Sequence, residues 1–200
     1  MRMQELIIAS HNEGKVEEIR KILSDFGVRV RSLADLDQQV PDVEETGTTF
    51  EENAQLKASS YAAMLNMPVL ADDSGLEIDA LDGRPGVFSA RYAGEEKNDE
   101  NNLQKVLTEM DGVKNRSARF VTVLALVLDE GTMELFRGEC EGTITTSPVG
   151  ENGFGYDPIF TPKDKSVTMA QLTKQEKNAI SHRGHALDLF KHWLSSRQSD

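Results

Sequence analysis

Cysteine, cationic excess and long apolar runs are all scarce in this chain, and each shortage excludes a class of protein. Cys140 is the only cysteine in 200 residues, so neither an internal disulfide nor a four-cysteine zinc site can be built. Lys and Arg total 22 against 34 Asp and Glu, a formal charge of -12, which leaves no general basic field to hold a nucleic-acid backbone. No segment approaches the roughly twenty apolar residues of a membrane-spanning helix. The apolar run within residues 1–10 is too short for a secretory signal and lacks a small-residue cleavage site. A cytoplasmic protein with no nucleic-acid and no membrane partner is therefore expected. Internal repeats, low-complexity tracts and long linkers are also missing, so residues 1–200 read as one domain, large enough to bury a core without staples.

What is present alternates between strand-like and helix-like stretches. Leu6-Ile7-Ile8-Ala9 is a compact apolar run that stops at a polar loop, after which Val16, Ile19, Ile22, Leu23 and Phe26 recur at helical spacing until Gly27. Val28 to Leu33 reads as a second strand, and Ala34 to Glu45 as irregular. Thr49-Phe50-Glu51-Glu52 has the form of a capping box, opening a helix with Phe50, Ala54, Tyr61 and Leu65 on one face and an end near Asn66-Met67-Pro68. Val69-Leu70-Ala71 reads as a short buried strand, with a further strand from the alternation of Leu76, Ile78 and Ala80. A helix is expected around Asn101 to Met110. Phe120 to Leu128 is the strongest strand, paired with Met133 to Arg137 across Asp129-Glu130-Gly131-Thr132. Thr173-Lys174-Gln175-Glu176 is a second capping box, and the last helix turns Leu187, Phe190, Trp193 and Leu194 inward.

Five places carry chemistry. The loop Ser10-His11-Asn12-Glu13-Gly14-Lys15, between strand and helix, offers backbone N–H groups and a cation to a phosphate, although its spacing is not that of a P-loop. An ordinary polar turn with a solvated lysine is the competing reading. Asp72 and Asp73 end a buried strand, where α/β proteins place ligands, and neighbours on a strand face opposite ways, so one of the two is expected to meet a reacting group. Asp-Asp-Ser-Gly is equally good turn chemistry. Glu44-Glu45 is either part of an oxygen site for magnesium or a solvated acidic run. Gly153-Phe154-Gly155-Tyr156-Asp157-Pro158 sets two aromatics among glycines, as a platform for a base or as a turn with one ring plugged inward. Ser181-His182-Arg183-Gly184-His185 opens the last helix; its two histidines lack a third metal ligand, and a capped helix start suits them better. His11 and His192 read as ordinary surface histidines.

Taken in order, these motifs, with Glu45-Thr46-Gly47, Phe50-Glu51-Glu52-Asn53-Ala54 and Pro85-Gly86-Val87-Phe88-Ser89-Ala90-Arg91-Tyr92, span almost the whole chain. Together they closely resemble the inosine/xanthosine triphosphate pyrophosphatases, which remove deaminated purine nucleotides. The resemblance implies an elongated α/β fold, a mixed central sheet flanked by helices in two lobes, with the site in the cleft between them. It also implies a magnesium-dependent homodimer that splits a purine nucleoside triphosphate into monophosphate and pyrophosphate. Carried over by matching position, Asp73 is the proton acceptor and a magnesium ligand, and Glu45 the second metal carboxylate. Ser10, His11, Asn12, Glu13, Gly14, Lys15 and Ser74 line the phosphates; Phe154, Gly155, Tyr156, Asp157 and Lys177 hold the nucleoside; His182 and Arg183 read the base.

Electrostatics agrees with that set. A triphosphate brings roughly four negative charges, so a cation must neutralise both substrate and acidic residues. Two rival readings remain: a pyrophosphatase for other modified nucleotides, and a nucleotide-binding regulator without turnover. Carboxylates at positions 45, 72 and 73 speak against the regulator, which gains nothing from acids beside a triphosphate unless they carry metal.

Overall fold

The computed structural model describes residues 3–128 and 131–198. Asp129 and Glu130, the first half of the expected hairpin turn, lie outside the described residues. In chain order the elements are β1 (Glu5–Ile8), α1 (Glu13–Ser24), β2 (Arg29–Ser32), α2 (Phe50–Leu65), β3 (Val69–Ile78), α3 (Asp99–Glu109), β4 (Ser117–Val127), β5 (Met133–Ile144), β6 (Phe160–Pro162), α4 (Lys174–Ile180) and α5 (His182–Gln198). The strands form one sheet in the order β2-β1-β3-β4-β5-β6. It is mixed, because β1 pairs in parallel with both β2 and β3 while β5 and β6 are antiparallel. The expected α/β class with a mixed sheet is what forms. Among the described residues no helix is long and apolar enough to cross a membrane.

By contacts the chain divides into two compact units. The first holds the described residues up to Asp73, Val123–Arg137 and those from Leu187 on; the second holds Ser74–Thr122 and Gly138–Ala186. In the first, Leu6, Ile7, Val16, Leu23, Phe50, Ala54 and Ala58 are buried, and Phe136 packs on Phe190 with ring centroids 5.3 Å apart. In the second, Leu76, Ile78, Leu103, Val106, Met110, Phe120, Phe160 and Met169 form one apolar cluster.

Two strand readings need correction. Asp72-Asp73-Ser74-Gly75 is not a turn; β3 runs unbroken through it for 10 residues. Ser74 Oγ lies 2.6 Å from Thr122 Oγ1 on β4, and the Leu76 N–H donates at 2.9 Å to Ser89 Oγ in the helical turn Gly86–Arg91, so the polar stretch is tied to the next strand and to that turn. Ala80, assigned to that second strand, sits in the short turn Asp79–Leu81 that follows β3. β5 likewise continues seven residues past Arg137, through two glycines that interrupt the alternation. A Cβ at Gly142 would lie 2.2 Å from the Thr161 carbonyl oxygen, and one at Gly138 2.0 Å from that of His182, so close approach of backbones excludes a side chain at both.

Helix starts behave as the capping residues dictate. Thr49 Oγ1 accepts the Glu52 N–H at 3.1 Å, but the Glu52 carboxylate turns to the Thr48 N–H and hydroxyl at 2.6 and 3.0 Å, one residue earlier than a complete box requires. The box at Thr173 and Glu176 is complete. α2 ends at Asn66, which takes the left-handed conformation at φ 51°.

Candidate active site

The first group of site residues lies in the first unit, except Ser74, which begins the second. β1 and β3 are parallel neighbours, Ile8 opposite Leu70, so the loop after β1 and the carboxylates at the middle of β3 arise from paired strands. Asn12 caps α1 by accepting the Lys15 N–H at 3.1 Å, and its own N–H donates to Ser10 Oγ at 3.1 Å. Lys15 is not solvated: its Nζ lies 2.7 Å from Asp72 Oδ2. Gly14 stands in the first turn of α1, as does the exposed Glu13, and His11 points to Asp42 at 3.6 Å, an open surface pair of little energetic weight.

Asp73 is 8% exposed while Asp72 is half-buried, the alternation expected of strand neighbours. Burial pushes the Asp73 carboxyl up, the Glu45 charge pushes it further, and Asp72 adds to both; Lys57 and a hydrogen bond from Asn53 pull the other way, leaving it at about 7. Lys57 Nζ pairs with Glu45 Oε1 at 2.7 Å and its side chain is 17% exposed. Desolvation alone lowers the Lys57 pKa, but the charges of Asp72, Glu45 and Asp73 outweigh it and the net shift is upward. Asn53, 1% exposed, accepts the Gly47 N–H on Oδ1 at 2.7 Å, so this one amide joins the Glu45 loop to β3. Of the acidic pair in that loop, Glu45 turns to the cluster and Glu44 is exposed.

Three carboxylates therefore share two lysines, a set with one negative charge in excess when all are ionised. Among the described residues no three or more His, Cys, Asp or Glu side chains are grouped so as to hold a metal ion by themselves. Magnesium is a hard cation usually bound by one or two carboxylates, with water and phosphate oxygens filling its other positions. Glu45 and Asp73 are the carboxylates that could hold such a cation, whose charge would oppose the Glu45 repulsion that adds to burial in raising the Asp73 pKa.

The second group lies in the second unit. In the aromatic loop Tyr156 is the ring plugged inward, its hydroxyl donating to the Ser89 carbonyl at 2.6 Å, while Phe154 is 71% exposed. Asp157, 4% exposed, accepts the Phe154 N–H at 3.0 Å and Lys177 Nζ at 2.5 Å on the same oxygen. Lys177 Nζ also lies 4.5 Å from the centre of the Phe154 ring. Asp157 thus acts from within the loop by holding it, and Asp99 holds it a second time by accepting the Gly155 N–H at 2.8 Å. At the start of α5, His182 stacks on Phe120 with centroids 5.2 Å apart, Arg183 is half-buried, and Ser181 Oγ accepts the Gly184 N–H. His185 Nδ1 meets the Glu139 carbonyl at 2.7 Å.

Sequence reasoning quoted Asn53 without a role and passed over Lys57, Asp99 and Thr122. The one available signal was the i, i+4 spacing of Asn53 and Lys57, which puts two polar residues on the side of α2 that also carries Phe50, Ala54 and Tyr61.

A mixed α/β sheet with carboxylates and lysines gathered where a polar loop enters a helix has the make-up of a phosphate-handling protein. The chain belongs to the Ham1 family, whose family model matches residues 6–193. It is similar to a protein of Halalkalibacterium halodurans named dITP/XTP pyrophosphatase, 54% identical over 194 residues that cover 96% of this chain and all of that one. The Bacillus subtilis protein of the same name is 54% identical over 92% of this chain and 94% of its own. In three dimensions the chain is similar to the Staphylococcus aureus Ham1 protein, with a TM-score of 0.92, 45% identity, and coverage of 97% of this chain and 100% of that one.

Proposed function

We propose that the protein hydrolyses non-standard purine nucleoside triphosphates (ITP, dITP and XTP) between the α and β phosphorus atoms, giving the monophosphate and pyrophosphate. The observation that carries this reading is Asp73, a buried carboxyl held at about 7 beside Glu45, Lys57, Asn53 and Asp72. Without metal a carboxyl poised near neutrality takes a proton from water efficiently, and a cation held by the same carboxylate would lower that affinity. In the proposed step a water oxygen bonds to phosphorus, its proton passes to Asp73, and the bridging P–O bond breaks as pyrophosphate leaves. Lys15 balances the charge that develops on the leaving group. Ser10, His11, Asn12, Glu13, Gly14 and Ser74 are assigned to the phosphates, the loop contributing chiefly backbone N–H groups. Glu45 and Asp73 would hold magnesium, which when bound supplies positive charge to phosphate oxygens.

Phe154, Gly155, Tyr156, Asp157 and Lys177 are assigned to the nucleoside, Tyr156 and Asp157 by shaping the loop. His182 and Arg183 are assigned to the base. Donors there favour inosine and xanthosine, which present an oxygen at the six-position where adenosine presents an amino group. The reading includes a homodimer in the cytoplasm without nucleic-acid partners, and the charge of -12 supports the last point.

The test is product analysis with ITP, XTP, GTP and ATP, with and without magnesium. Pyrophosphate and monophosphate are expected, only with the metal, with ITP favoured over ATP by about a hundredfold or more. Orthophosphate and a diphosphate would place cleavage at the outer phosphate and sink the reading. Arg183→Ala is expected to narrow the gap between ITP and ATP, whereas Phe154→Ala weakens all purines alike, since all purines stack.

A further inference from the structure

The first turn of α5, which carries His182 and Arg183, is clamped within its own unit by β5 on one side and α4 on the other. At Gly138 of β5 a Cβ would lie 2.0 Å from the His182 carbonyl oxygen and 2.5 Å from the Ala186 nitrogen, so only glycine lets the strand meet this turn. The next residue, Glu139, presents its carbonyl 2.7 Å from His185 Nδ1. A carbonyl only accepts, so Nδ1 carries the proton and donates, whether the ring is neutral or charged. On the side of α4, a Cβ at Gly184 would lie 2.8 Å from the Asn178 carbonyl oxygen. The turn therefore has little freedom to translate along β5 or away from it.

We propose that Gly138 and His185 are positioning residues for base recognition: the bare backbone at Gly138 and the bond from His185 to the Glu139 carbonyl fix the turn that presents His182 and Arg183. This rests on the base-reading role of those two residues and deepens it. Hydrogen bonds weaken steeply with angle, and a misplacement of about 1 Å costs on the order of a hundredfold in a well-organised site. A shifted turn should therefore lose discrimination between bases, while the residues assigned to the phosphates on α1 and β3 keep the chemistry.

The experiment measures kcat/KM for ITP and ATP, with Tm, in the full-length protein and in Gly138→Ala, His185→Ala, His185→Asn, Gly142→Ala and Arg183→Ala. Gly138→Ala and His185→Ala are expected to lower the ITP-to-ATP ratio about tenfold. His185→Asn, whose side-chain N–H can reach the same carbonyl, should restore the parent's ratio. Gly142→Ala inflicts a matched steric insult on the same strand, against Thr161, and should lower Tm with the ratio unchanged. If Gly138→Ala does not fold, the exposed His185 decides the matter through its two variants. An unchanged ratio in His185→Ala and Gly138→Ala, with Arg183→Ala collapsing it, would overturn the positioning role alone. An unchanged ratio in Arg183→Ala would overturn the base reading and the inference with it.

Discussion

Asp73 shows how one residue sets stability against function. Its carboxyl titrates near 3.8 in an unfolded chain and at about 7 in the fold, because burial and the Glu45 charge favour the neutral form. Between those values the folded state holds a proton that the unfolded state has lost, so stability is full below about pH 4 and falls as pH rises, reaching its lowest contribution above about 7. Asp73→Asn is nearly isosteric and carries no charge. It is expected to lose turnover by on the order of a hundredfold or more, and to be more stable than the parent at pH 8 by on the order of a few kcal/mol, an advantage that fades towards pH 4. Melting curves in chelator across that range, beside turnover with magnesium, check both halves. Added magnesium should raise the Tm of the parent and leave that of Asp73→Asn unmoved. A variant no more stable than the parent at pH 8 would mean that the buried charge is already compensated.

At the scale of elements, α2 is what turns scattered acids into a cluster, because Asn53 and Lys57 stand one turn apart and face β3 and the Glu45 loop together. Lys57→Met keeps the volume of the stem and removes the charge. With one cation fewer among Glu45, Asp72 and Asp73, the variant is expected to be about 1–3 kcal/mol less stable than the parent at pH 8 and to lose activity. The stability gap should shrink as pH drops through about 7 and Asp73 takes up its proton, which denaturant titrations at pH 8 and 5 would show. A gap that is constant with pH would make Lys57 a packing residue. The same element marks the limit of reading the sequence. The capping threonines, the αL asparagine and the apolar face were legible because their signals are local. Lys57 was not, since a lysine on a helix looks solvated until its neighbours on another strand are known. β3 and β5 were cut short for the same reason: Asp-Asp-Ser-Gly and Gly138 carry turn chemistry locally, and only pairing with β4 and close approach of α5 keep them extended.

For the whole molecule the question is whether a substrate meets its total charge or only the charge of the site. The chain carries -12, and a triphosphate adds roughly four more negative charges, so at long range the two repel. In the proposed assignment the substrate meets cations close in, Lys15 and Lys57 of the first unit and Lys177 and Arg183 of the second. Salt separates the two, because the Debye length is about 30 Å at 0.01 M and about 8 Å at 0.15 M, the first wide enough to sum most of the protein and the second confined to a site. If the total charge governs approach, kcat/KM for ITP at fixed free magnesium should rise as salt increases over that range, with kcat little changed, since screening acts on encounter and not on the bound complex. A steady fall from the lowest salt upward would show that the lysines and arginine set the field the substrate enters, and that the acidic surface lies outside its path. Repeating the series with Lys57→Met sharpens the distinction: losing a site cation steepens the rise in the first case and flattens the fall in the second.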